Sequence, residues 1–120
     1  MALTKSAPSQ IGSTTGLATG GASYATNALD VSAAVACEIE LVLTYSTNPT
    51  TGTIDIEVYD SQDGTNYSDF PMYSASASPT ASSRATFQFD TVALKNIAVK
   101  VSNNTDQSVD VVVNAITTSI

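Results

Sequence analysis

Asp60, Asp63, Asn66 and Asp69 crowd one short stretch of this chain. A hard cation such as calcium is held by carboxylate and amide oxygens that converge on one point, so these four are the candidate ligand set. Their spacing fails the EF-hand pattern. The plainer reading gives each a structural duty: Asp63 and Gly64 make a turn, Asn66 helps close it, and Asp60 and Asp69 are solvated flanks. The same stretch carries the rings of Tyr59, Tyr67, Phe70 and Tyr73, of the kind that stack on sugars from exposed positions. The chain has no tryptophan, the best such platform, and packing in the core or its rim is the plainer role for these rings.

Other chemistry is thinly represented. Cys37 is the only cysteine, so no disulfide forms within one chain. No Lys, Arg or His lies near it in sequence to stabilise a thiolate, and a small buried core residue is expected. Histidine is absent, which removes the usual base of Ser-His-Asp and Cys-His mechanisms and the commonest nitrogen ligand of zinc. Gly12, Gly16, Gly20 and Gly21 lack the Gly-Lys-Ser/Thr ending of a phosphate-cradling loop. The acidic residues are scattered along strand faces where solvation explains them, which argues against a glycosidase pair. The expectation is a protein that is not an enzyme and that holds no metal and no cofactor.

The elements that would position these residues are strands. From Thr53 the chain reads Thr-Ile-Asp-Ile-Glu-Val-Tyr-Asp, placing Ile54, Ile56 and Val58 on one face and Asp55 and Glu57 on the other, before an Asp-Gly reversal. Cys37 to Tyr45 sets Ile39, Leu41, Leu43 and Tyr45 on one face, with Val42 the apolar exception opposite. Arg84 to Asp90 turns Phe87 and Phe89 inward, and Asn96 to Ser102 and Ser108 to Ile116 close the chain with alternating Ile and Val. A weaker strand is expected over Ala25 to Val31 and another over Tyr67 to Tyr73, where Pro71 argues for an edge. Ser74 to Ser83 reads as an exposed low-complexity loop. About seven or eight strands spaced by roughly ten residues predict a single antiparallel β-sandwich, jelly-roll or immunoglobulin-like.

Residues 1–22 differ in texture, with Leu3, Ile11 and Leu17 the sizeable apolar groups among Gly, Ser, Thr and Ala. The expectation divides the chain into an extended N-terminal arm over 1–22 and a sandwich over 23–120. The competing reading of the first segment is a frayed tail. As an arm it would order only against a neighbour, and deleting residues 2–20 would then spare the fold. Eleven acidic against four basic side chains give a net charge of −7, which opposes binding to nucleic acid and to anionic lipid. The N-terminal residues show no apolar run of the kind a secretory signal or membrane span needs, so synthesis and folding in cytoplasm are expected.

The segment Tyr59-Asp60-Ser61-Gln62-Asp63-Gly64-Thr65-Asn66-Tyr67 resembles the Ser-x-Asp-Gly-x-x-Trp/Tyr hairpin of discoidin-like and other carbohydrate-binding sandwiches. Asp63-Gly64 lacks the residue that separates Asp from Gly in the sialidase Asp-box. With its Gly/Ser/Thr/Ala-rich N-terminus and its closing pair around Val99-Lys100-Val101 and Val111-Val112-Val113, the chain is similar in layout to head decoration (cement) proteins of tailed phages. That resemblance implies a protein made in the host cytoplasm that docks on the outer capsid surface of the virion, its partner the major capsid protein. It also implies a homo-oligomer, a trimer favoured. Leu3, Ile11, Leu17, Ser78 and Pro79 are then the candidate partner contacts. The alternative is a carbohydrate-binding module or receptor-contacting tail protein, with Tyr59, Tyr67 and Tyr73 as glycan contacts.

Overall fold

Side chains that alternate between apolar and polar over eight or nine positions leave a strand one face to bury, and two such sheets close on each other. A computed structural model of the chain describes residues 2–120. Its strands are β1 (Thr4–Lys5), β2 (Ser9–Leu17), β3 (Ala22–Ala25), β4 (Leu29–Asp30), β5 (Ala36–Thr44), β6 (Ile54–Ser61), β7 (Tyr73–Ala77), β8 (Ser83–Asp90), β9 (Asn96–Asn103) and β10 (Val109–Ser119). All pairing is antiparallel, and no helix occurs among the described residues.

The ten strands form eight rows. β1 and β2 follow one another along β10, and β3 and β4 follow one another along β9. One sheet then runs β1/β2, β10, β5, β8 and the other β3/β4, β9, β6, β7. First row pairs with last, second with seventh, third with sixth and fourth with fifth. These are the pairs of a single long hairpin, and rolling that hairpin on itself adds the contacts β10 to β5 and β9 to β6. The sandwich is therefore a jelly roll, not an immunoglobulin-like fold.

The core lies where the alternation places it. Ile39, Leu41, Ile54, Ile56, Val58, Ile97, Val99 and Val101 are fully buried, as are Val111 and Val113 from the last strand. On the outer face of the second sheet Glu57 pairs across to Lys100, whose Nζ stands 4.0 Å from its carboxylate.

Three expectations need correction. The segment drawn as an arm supplies β2, which pairs with β10 from Leu17↔Val109 to Ser9↔Ala115. Ile11 and Leu17 are core residues, 8% and 7% exposed. The physical reason is the long last strand, whose other flank β5 occupies, so its free ladder needs a partner and takes one from its own chain. Second, Tyr67 to Met72 is not a strand, and the return strand is β7, which includes Ser74 to Ala77 of the expected loop. Serine outward and alanine inward suffice at an edge that pairs with β6. Third, the Asp63-Gly64 reversal is not a tight hairpin turn between neighbouring strands but one turn within the longer connection from β6 to β7.

A buried polar knot anchors the β2 end. Asn103 is fully buried, and its Nδ2 donates to the carbonyls of Leu17 and Gln107, each at 2.9 Å. Its Oδ1 accepts from the Thr105 N–H at 3.0 Å and the Thr105 hydroxyl at 2.6 Å. Every hydrogen-bonding position of that amide is used, which is the condition for burying it without loss.

Candidate functional site at the apolar end

The acidic stretch is a turn. Asp63 Oδ1 accepts from the N–H groups of Thr65 and Asn66 at 2.9 and 2.8 Å and from Ser61 Oγ at 3.0 Å, while Oδ2 accepts from Asn66 Nδ2 at 2.8 Å. The Asn66 and Thr65 N–H groups, with the Asn66 and Ser61 side chains, hold its carboxyl well below the usual aspartate range. Those bonds engage both oxygens of the Asp63 carboxylate within the turn. Among the described residues no group of three or more His, Cys, Asp or Glu side chains is placed to hold a metal ion.

The three tyrosines are separated rather than gathered. Tyr73 lies partly buried against the core, its ring 5.2 Å from that of Phe89. The Tyr67 hydroxyl is buried without a partner, and burial followed by the nearby Asp63 charge raises its pKa. Only Tyr59 faces outward, in the row with Glu57 and Asp55. Cys37 is 2% exposed, and burial, with Glu38 adding to it, pushes its thiol up to about 11, as expected of an inert core residue.

What the fold does gather is apolar surface. Among the described residues the large hydrophobic side chains left in solvent are Leu3 at 67%, Phe70 at 79%, Met72 at 37%, Val92 at 63% and Ile120 at 65%. Topology puts all five at one end of the sandwich. Leu3 and Ile120 flank the β1–β10 pairing, and Val92 follows Asp90, which pairs with the first residue of β5. Phe70 and Met72 lie in the loop that leaves β6, tied back by the N–H of Ser68 to the Asp60 carbonyl and the N–H of Met72 to the Val58 carbonyl. A groove of about 600 Å³ at this end is lined by Leu3, Val35, Phe89, Val92 and Ile116 together with polar side chains, among them Lys5, Glu38 and Asp90.

The opposite end carries none of these large exposed groups. Its connections, 18–21, 45–53, 78–82 and 104–108, are built of Ser, Thr, Asn, Gly and other small or polar residues held by local bonds. Asp106, for example, accepts from the Thr50 hydroxyl at 2.6 Å and the Thr50 N–H at 2.9 Å. Ser78 and Pro79 sit at this polar end, exposed and half-buried respectively. Of the five candidate partner contacts, then, Leu3 lies at the apolar end, Ser78 and Pro79 lie at the other, and Ile11 and Leu17 are inside. Sequence reasoning missed Phe70 as an apolar contact, Met72, Val92 and Ile120. Each is a lone apolar residue in a polar connection or at a terminus, with no periodicity to mark it.

No protein-family model and no curated protein matches the sequence. Solved structures do match the fold. A chain of the cowpea mosaic virus top component, the naturally occurring empty particles, aligns at a TM-score of 0.58 and 10% identity over 92% of this chain and 85% of that one. The SPBc2 prophage-derived protein YomS aligns at 0.53 and 15% identity over 99% and 96%. CBM1 of BiXyn10A, without ligand, aligns at 0.50 and 18% identity over 78% of this chain and 58% of that one. At these identities the likeness shows the fold. The neighbours are virus- and phage-related proteins and a carbohydrate-binding module.

Proposed function

We propose that this chain is a non-catalytic structural protein of a phage virion, a decoration (cement) protein that docks on the outside of an assembled capsid and stiffens it. One observation carries the reading: a jelly roll in which, among the described residues, the large exposed apolar side chains all lie at one end and only small or polar groups are exposed at the other. Clustered exposed hydrophobes mark surfaces that another protein covers. Two further features support it. The acidic balance, −7, suits a position away from packaged nucleic acid. The viral and prophage-derived fold neighbours belong to the same architecture. The partner in this reading is the major capsid protein, and the clamp works because separating two shell subunits must also break its contacts.

Density-gradient sedimentation of shells formed by the capsid protein of the same genome tests this. The added chain is expected to travel with the shells and to raise the temperature at which they come apart. A Phe70→Asp, Val92→Asp double variant is expected to stay at the top of the gradient while keeping its fold, since both side chains are exposed. Wild-type chain that fails to travel with shells refutes the proposal.

A second reading, glycan binding, draws on Tyr59 and on a polar groove of about 480 Å³ beside it, lined by Asp55, Glu57, Ser74, Ser76, Ser102 and Asn104. Its Asp55 carboxylate is already engaged, accepting from Thr53, Ser76 and Asn104. Glycan-array binding that disappears in Tyr59→Ala would favour it over the capsid reading.

A further inference from the structure

We propose that β8 is a dimer interface, at which two copies of this chain pair their β8 strands antiparallel about a two-fold axis through Phe87 and so join their sheets into one. The inference is independent of what the protein docks on.

A sheet edge exposes unpaired N–H and C=O groups, and soluble proteins usually blunt such edges with bulges, prolines, lysines or short strands. Three of the four edges here are blunted. The β1/β2 row is interrupted after Lys5 and shifts register twice within Ser9–Leu17. The β3/β4 row is broken between Ala25 and Leu29. β7 is five residues long, with Pro71 before it and Pro79 after it. β8 differs from all of them. It runs eight residues in unbroken register with β5, contains no Pro, Gly or Lys, and is exposed at Ser83, Arg84, Thr86, Gln88 and Asp90.

The ladder says which backbone groups are open. Just beyond β8 the Thr91 N–H donates to the Val35 carbonyl at 3.1 Å. Hydrogen-bonded pairs alternate along an antiparallel ladder, so Phe89, Phe87, Ala85 and Ser83 turn their N–H and C=O groups to β5. Those of Arg84, Thr86, Gln88 and Asp90 therefore point out from the edge.

Side chains then choose the partner. When β8 meets a second β8 with Phe87 opposite Phe87, Arg84 falls opposite the partner's Asp90, twice by symmetry, and Thr86 opposite the partner's Gln88. Opposite charges across a strand pair are favourable and like charges are not. Arg84 has a 66% exposed side chain and one ion-pair partner in its own chain, Glu40 at 3.1 Å, so its fork of five donors retains capacity for a second carboxylate. Asp90 spends Oδ1 on the Val92 N–H at 3.0 Å, and among the described residues its other oxygen has no hydrogen bond. The remaining charge on this face beside β8 is Glu38, held by Gln88 Nε2 at 2.9 Å. On the core side, half-buried Phe87 meets its copy in a non-hydrogen-bonded pair, where side chains approach most closely. One register thus satisfies the charges and covers the aromatic ring.

Size-exclusion chromatography with light scattering reads the outcome. Wild type is expected at twice the 12.3 kDa chain mass. Thr86→Pro deletes an N–H that the chain's own fold does not use, and it is expected to give a monomer with an unchanged far-UV spectrum. Asp90→Arg is expected to shift the protein to monomer, and adding Arg84→Asp to the same chain is expected to restore the dimer. That rescue is a result a purely structural role for either residue would not produce, and it keeps the proposal open to test where the proline variant fails to fold. A monomeric or trimeric wild type overturns the proposal, as does a dimer that survives both Thr86→Pro and Asp90→Arg.

Discussion

Leu17→Ala separates an arm from a core strand more cleanly than any deletion, because it leaves the backbone in place. The change removes three carbon groups from a side chain only 7% exposed. At about 0.8 kcal/mol per buried group the transfer loss is about 2.4 kcal/mol. A residual cavity adds to it, and buried Leu→Ala changes span about 2–5 kcal/mol. Leu17 stands at the end of β2, where the rim can relax, and its carbonyl keeps the Asn103 amide bond, so the low part of that range applies: about 2–3 kcal/mol. With an unfolding entropy of about 2.1 cal/mol/K per residue, a chain of this length loses roughly 4 °C of Tm per kcal/mol, hence about 8–12 °C. Urea unfolding followed by tyrosine fluorescence, with the slope unchanged, measures the loss directly. Leu3→Ala, at a site 67% exposed, serves as control and is expected within about 0.5 kcal/mol of wild type. A Leu17→Ala midpoint equal to that of Leu3→Ala would show that β2 adds nothing to the core and would refute the reasoning.

Other consequences are as direct. Asp63 has a folded pKa below its unfolded value of 3.8, so the stability of its turn is whole above about pH 4 and fades as pH falls through the folded value. Carbon-detected NMR titration is expected to place the Asp63 midpoint below the ordinary aspartate value, and a midpoint at or above that value contradicts the four hydrogen bonds. Cys37, with its thiol raised to about 11, is expected to resist a disulfide reagent at pH 8 in the folded protein and to react at once in urea; rapid native labelling would mean the core opens there. Gly52 has φ +92° and packs where a Cβ would fall on the Asn104 carbonyl oxygen. Gly52→Ala is expected to lower Tm by several degrees, through about 1–3 kcal/mol of backbone strain, and an unchanged Tm would show that the β5–β6 loop moves freely away from Asn104.

How much of this was legible in the sequence follows from which signals are local. Strands β5, β6, β9 and β10 alternate strongly, and their buried faces are the expected ones, down to Val42 facing outward opposite Leu41 and Leu43. β2 was invisible because its apolar positions, Ile11 and Leu17, are six apart and broken by register shifts, so period two never appears. β7 was missed for the opposite reason, since Ser-Ala-Ser-Ala alternates in size and not in hydropathy, a distinction that matters only beside β6. The turn chemistry of Asp63 was legible because an Asx turn is made of neighbours. The apolar end was not, because Leu3, Phe70, Val92 and Ile120 come from four separate segments that only the rolled hairpin brings together.

The β8 pairing and the apolar end, taken together, define how such a protein would hold a shell. A two-fold perpendicular to the joined sheet reverses strand direction between copies, so the apolar ends of a dimer point away from each other. Both cannot press on one flat patch. They can each engage a different shell subunit, which makes the dimer a staple laid along the surface, and its two contacts reinforce each other through effective concentration rather than through extra area. A monomeric Thr86→Pro variant keeps one apolar end and so should still bind shells, but with the affinity of one contact, a loss expected to fall within about 10²–10⁴-fold. It should also fail to raise the temperature at which shells come apart, because one end alone bridges nothing. Measured against the Phe70→Asp, Val92→Asp variant, which should not bind at all, the two defects are distinguishable on the same gradient. A Thr86→Pro monomer that stabilises shells as well as wild type would leave the apolar end as a docking surface and remove the staple.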